Sequence, residues 1–223
     1  MSLKPLKKSD LGKDWVNGRK SKKVMLQPEY HLIVTEGTDT EPQYFDAIRK
    51  QINEKYRDRI VLVVEGMGDN TLNLYDKARK LVWDSLNEYK HVWVVYDTDD
   101  FPADHINQTE ILCNKTVNDE TIFHAIWSNQ CIELWFLLHF GFYQTDIHRK
   151  EYWSKLSNWL NSIGEGEYRK NRDDMYTILK PYIETAISNA KKLDEINAGK
   201  TPAESAPGTK VYEMIEILMP YLD

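Results

Sequence analysis

Four short apolar runs, each followed by a stretch of helical spacing, constrain what this chain can fold into. Tyr30–Thr35, Ile60–Val64, Val92–Tyr96 and Thr121–Trp127 are almost continuously apolar, aromatic or β-branched. Such uniform runs suit strands of a parallel sheet covered on both faces, not one-sided hairpins. Between the first two, Tyr44, Phe45, Ile48 and Ile52 recur at helical spacing, with Thr38 or Asp39 as a cap and Pro42 in the first turn. A second helix is predicted from Asn70 or Thr71 through Leu72, Leu74, Ala78, Leu81, Val82 and Leu86. A third opens at Pro102 and runs through Ile106, Ile111 and Leu112, and a dense apolar one covers Ile132–Phe140. Strand and helix alternate, which is the pattern of an α/β fold with a parallel sheet of about four strands. Beyond Gly141 the periodicity is helical only, with Asn197–Thr209 as a loop and Val211–Leu218 as a last helix.

The predicted organisation is a basic arm over residues 1–28, an α/β core over 29–140 and a helical region over 141–223 packed on that core. Residues 1–23 hold eight Lys and Arg against two Asp, a net charge of +6, so the remainder carries −12 of the total −6. A basic arm on an acidic body suits a grip on phosphates, and equally a solvated tail. The two cysteines, Cys113 and Cys131, have no CxxC spacing and read as free thiols of a reducing compartment. No apolar run approaches the roughly 18 residues of a membrane span. A cytoplasmic protein without a membrane partner is expected.

Two of the apolar runs end on carboxylates. The first stops at Glu36-Gly37, the third at Asp97-Thr98-Asp99-Asp100. In open parallel sheets, ligands sit beyond the carboxyl ends of the strands, at a topological switch point. Carboxylates gathered there repel one another, so either their pKa values rise or a cation neutralises them. Hard oxygen donors suit Mg²⁺ or Mn²⁺, which stabilise the charge of phosphoryl transfer. Glu36, Asp97 and Asp99 are the catalytic candidates, and with Asp100 the metal-ligand candidates. Each alone has a plain structural reading as a polar turn; their ordered occurrence in one α/β frame favours a site.

An apolar run ending in Glu-Gly, followed by one ending in D-x-D-D, resembles the Toprim domain of topoisomerases, primases and related nucleases. The chain most closely resembles the RloB-like proteins of bacterial restriction and phage-defence loci. The segments IVTEGTDTEPQYF, GDNTLNLYDKA, VVYDTDDF, WSNQCIELWFLLHF, YRKN and APGTKVYEMIEIL carry that likeness across roughly residues 30 to 218. It implies a Toprim-like, Rossmann-like sheet and a metal-dependent nuclease acting on DNA or RNA. It also implies a partner defence protein such as an ATPase. By position, Glu36 matches the glutamate of acid–base work or metal binding, and Asp97 and Asp99 match the metal-binding D-x-D.

Further candidates are weaker. Glu41 complements a helix N-terminus or joins the site. Ser128 and Asn129 cap a helix or line the sheet edge, and Glu133 suits either the helix dipole or a metal. Arg169, Lys170 and Arg172 form a phosphate clamp or a solvated face. Gly66 and Gly68 lack the lysine of a P-loop. His139, among apolar neighbours, reads as a core histidine. Two other classes compete. Haloacid-dehalogenase phosphatases place their D-x-D on the first strand, whereas here it follows the third. A non-catalytic metal- or nucleotide-sensing subunit acting with an effector would keep the same fold.

Overall fold

The computed structural model describes residues 27–68, 71–98, 102–115 and 120–223. Four parallel strands, β1 (Glu29–Thr35), β2 (Ile60–Gly66), β3 (Tyr89–Asp97) and β4 (Ile122–Ser128), form one sheet in the order β2-β1-β3-β4. Crossovers run through α1 (Thr40–Lys55), α2 (Thr71–Asp84) and α3 (Ala103–Lys115). The chain steps from β1 outward to β2, then back past β1 to β3 and β4. The reversal of direction places the switch point between β1 and β3, whose carboxyl ends carry Glu36 and Asp97.

Alternation along the strands splits the core in two. Ile33, Trp93, Val95 and Ile126 face α1 and the later helices; Leu32, Val34, Val92, Val94 and Tyr96 face α2 and α3. The first layer includes α4 (Glu133–Leu138), α5 (Arg149–Ser162), α6 (Met175–Leu179), α7 (Ile183–Ile196) and α8 (Val211–Leu218). This is the expected α/β, Rossmann-like class, with helices after the sheet. Every side chain of α4 is buried, because the helix lies between the sheet layer and the helical region. Among the described residues, no helix is long and apolar enough to cross a membrane.

The second helix ends at Asp84, before Leu86, which is fully exposed in the short link to β3. Ile111 of α3 is also exposed; Ile106, Thr109 and Cys113 form the buried stripe instead. The segment before α8 closes the edge of β4. Ser128 bridges Thr209, the Asn129 amide donates to the Gly208 carbonyl at 2.7 Å, and the Lys210 amide donates to Trp127. A Cβ on Gly208 would sit 2.8 Å from the Ser205 carbonyl and 3.1 Å from the Trp127 ring, so this close approach requires glycine.

Candidate functional site at the carboxyl edge of the sheet

The structure brings the two acidic strand ends together. The Glu36 amide donates to the Val95 carbonyl of β3 at 3.0 Å, extending the β1–β3 ladder by one residue. The Glu36 side chain turns toward β3, where Oε2 accepts the Asp97 amide at 3.3 Å and the Thr71 hydroxyl at 3.3 Å. Glu36 is thus oriented by the ends of β3 and α2, and Asp97 is its immediate neighbour. Asp99 and Asp100 lie outside the described residues, as do residues 1–26 of the basic arm.

Gly37 has a specific reason. The Glu41 carboxylate, from the first turn of α1, folds back against the Gly37 backbone where a Cβ would collide with it. Glu41 is buried, and its carboxyl is held above the usual carboxylate range by that burial and by the nearby charge of Glu133, with Lys170 opposing. A helix-dipole acid would be solvated; this one is aimed inward.

Glu133 reaches the same region from the first position of α4, just after the turn that follows β4. It is 1% exposed, and its Oε1 accepts the Trp153 indole N–H at 3.0 Å and the Tyr168 hydroxyl at 2.8 Å. Burial, and then the charges of Glu133 and Asp97, push the neighbouring Cys131 thiol far up, which keeps it neutral and unreactive. Burial and Glu133 push up the Tyr168 phenol in the same way. Glu41 and Glu133 therefore interact electrostatically, Glu133 and Asp97 both act on Cys131, and Glu36 lies beside Asp97.

The remaining candidates divide. Ser128 pairs with Thr209, Oγ to Oγ1 at 2.8 Å, and so serves the closure of the β4 edge. Asn129 is buried, and its Oδ1 has no hydrogen-bond partner among the described residues. Of the basic group, Lys170 approaches the site: its carbonyl accepts the Thr40 hydroxyl at 2.9 Å, and its ammonium lies over the Trp153 ring at 5.3 Å. Arg169 is exposed. Arg172 turns to Asp174 in a two-pronged ion pair with nitrogen–oxygen distances of 2.6 and 2.7 Å, and also donates to the Glu165 carbonyl. In the glycine loop, the Met67 and Gly68 amides donate to the Thr35 and Glu36 carbonyls, so they brace the end of β1 and are not directed at a phosphate.

Sequence reasoning read Thr71 as a helix start and Cys131 as a free thiol, and placed neither of them, nor Trp153 or Tyr168, at the site. The only signal was that an apolar, aromatic-rich helix begins with a glutamate, which needs donors once buried. His139 is a core residue: its Nδ1 donates to the Trp135 carbonyl at 2.9 Å.

An α/β protein with carboxylates converging at the switch point of a parallel sheet is the class defined by this geometry. The RloB-like protein family matches residues 31–218, and the chain belongs to that family. Neither the curated proteins nor the solved structures contain a match to the chain.

Proposed function

We propose that this protein is a metal-dependent phosphoryl-transfer enzyme of Toprim type, a nuclease that cleaves phosphodiester bonds in DNA or RNA within a bacterial phage-defence system. The observation that carries this is the contact between the strand ends, Asp97 amide to Glu36 Oε2, with the buried Glu41 and Glu133 beside it. Acidic residues at two adjoining strand ends of an open parallel sheet lie where a cation shared with a phosphate would be held.

The donor set fits a hard divalent ion. The converging groups are carboxylate oxygens, and Asn129 Oδ1 is a buried oxygen acceptor with no donor among the described residues. Glu36 and Asp97, with Asp99 and Asp100 next along the chain, would hold Mg²⁺ or Mn²⁺. Such an ion supplies Lewis-acid stabilisation of charge on the phosphate and lowers the pKa of bound water. The protein supplies the rest. Thr71 and the Asp97 amide orient Glu36, while Tyr168 and Trp153 fix Glu133. Glu41 retains a proton more readily than a solvated glutamate, which suits acid–base work next to the reacting phosphate. Lys170 and Arg169 offer positive charge to the nucleic-acid backbone, and the basic arm adds more.

The test is cleavage of plasmid, single-stranded DNA, transfer RNA and long RNA with Mn²⁺ or Mg²⁺, with Asp97→Ala as the control. Metal-dependent cleavage lost in the variant is the expected result. Metal binding without cleavage of any substrate, alone or with a partner ATPase added, would falsify the nuclease reading.

A further inference from the structure

At the opposite edge of the sheet, donors of a different kind converge. Glu29 and His31 open β1, and His91 lies near the start of β3. One ligand atom from each falls within 4.8 Å of the other two. Strand register makes this arrangement rigid. His31 pairs with His91, and His124 pairs with Trp93 two residues further along β3, so the three imidazoles share one face. Glu29 Oε1 lies 3.4 Å from His31 Nε2, while Glu29 Oε2 is held by Lys90 at 2.9 Å. His91 Nδ1 lies 2.9 Å from His124 Nε2.

We propose that Glu29, His31 and His91 form a transition-metal site for a Zn²⁺-class ion, with solvent as the fourth ligand and His124 as the orienting partner of His91. Two imidazoles and a carboxylate are intermediate donors that select Zn²⁺ over Mg²⁺. Tetrahedral Zn²⁺ with bonds of about 2.0–2.1 Å separates its ligand atoms by roughly 3.3 Å. The present spacing, with every pair within 4.8 Å, needs a contraction of no more than about 1.5 Å, shared between the exposed Glu29 side chain and small rotations of the imidazole rings. A hydrogen bond from the second ring nitrogen of a ligating histidine sets its orientation and tautomer, which is the role His124 is placed to fill for His91. Lys90 fixes the carboxylate in the same way. The site lies five residues back along β1 from the carboxyl edge, roughly 17 Å away at strand rise, so it is separate from the phosphoryl-transfer site and does not depend on that reading.

Two contacts oppose the ion, the first being the Lys90 ammonium, a competing cation 2.9 Å from Glu29 Oε2. The second is the Trp93 indole N–H, which points at His31 Nδ1 at 3.4 Å. Metal on Nε2 moves the ring proton to Nδ1, where it faces that N–H. The contact is already at the long limit for a hydrogen bond, so it weakens the site without closing it, while the Trp93 ring stacks on His91 and His124 and holds them in place.

The experiment is Zn²⁺ titration of the untagged chain, followed by competition with a chromogenic chelator, with Co²⁺ absorption as the readout of coordination geometry. One equivalent is expected, with tetrahedral Co²⁺ bands. Glu29→Gln, at an exposed position, and His91→Gln each weaken affinity at least tenfold, and Asp97→Ala leaves it unchanged. The proposal is overturned if either Glu29→Gln or His91→Gln binds as tightly as the parent, or if Asp97→Ala abolishes Zn²⁺ binding. Folding of the histidine variant is verified by circular dichroism, and Glu29→Gln carries the test if that variant does not fold.

Discussion

Protonation of His139 should govern part of the acid stability of the helix that carries Glu133. His139 ends α4, fully buried, with Nδ1 donating to the Trp135 carbonyl and Nε2 without a partner among the described residues. Burial lowers its pKa from 6.5 to about 4, against the backbone carbonyls that favour the charged form. The unfolded chain therefore binds more protons than the folded one between those two values. Stability is fully present above pH 6.5 and is lost as the pH falls toward about 4. A shift of that size amounts to about 3 kcal/mol in the acid limit, most of it already lost at about pH 4.5. His139→Phe removes the titration. It also removes the hydrogen bond to Trp135, at a cost of about 1 kcal/mol at neutral pH. The variant should be less stable than the parent at neutral pH and more stable at about pH 4.5, with the two curves crossing near pH 6. Urea unfolding at a series of pH values measures this directly. Other acid-sensitive groups, including His31 and His124, cancel because both proteins share them. A difference between variant and parent that does not change with pH would refute the reasoning.

Gly37→Ala forces the flexible end of Glu41 out of its place against the backbone; it should cost no more than about 1 kcal/mol in chemical denaturation while reducing cleavage. Tyr168→Phe removes one of the donors to the buried Glu133 carboxylate, which should destabilise the fold by about 1.5–3 kcal/mol and reduce cleavage more than it reduces nucleic-acid affinity in a filter-binding assay. Glu41→Gln removes a buried charge that Glu133 opposes, so it should raise the melting temperature in chelator while eliminating metal-dependent cleavage.

The elements were legible because they are written locally. Each strand is a continuous apolar run, and each crossover helix has its apolar stripe, although Asp39 at the start of α1 makes no side-chain cap hydrogen bond. Glu36 and Asp97 were legible as strand ends because a parallel sheet puts all its carboxyl ends at one edge. Their contact across β1 and β3 depends on strand order, which no local pattern states. Trp153 and Tyr168 were not legible as partners of Glu133, since they come 20 and 35 residues later from a helix and a loop with no distinctive spacing. Arg172 looked like part of a basic cluster; only the fold shows that Asp174, two residues on, takes its guanidinium. The histidines at the amino edge share a face through register alone, and register is a tertiary fact.

The supports around the acidic edge show how its repulsion is contained. Glu36 receives an amide and a hydroxyl, Glu133 receives an indole and a phenol, and Glu41 lies against a glycine with Lys170 opposing Glu133. None of these partners neutralises the whole group. Hydrogen bonds orient the carboxylates but leave most of their negative charge in place, and burial raises the cost of that charge. A fold selected only for stability would replace Glu41 or Glu133 by an apolar side chain, as buried charges generally cost more than they return. Keeping both, and holding each in a fixed orientation, is what a cation site requires, because an oriented charge awaiting a counter-ion binds it without further reorganisation.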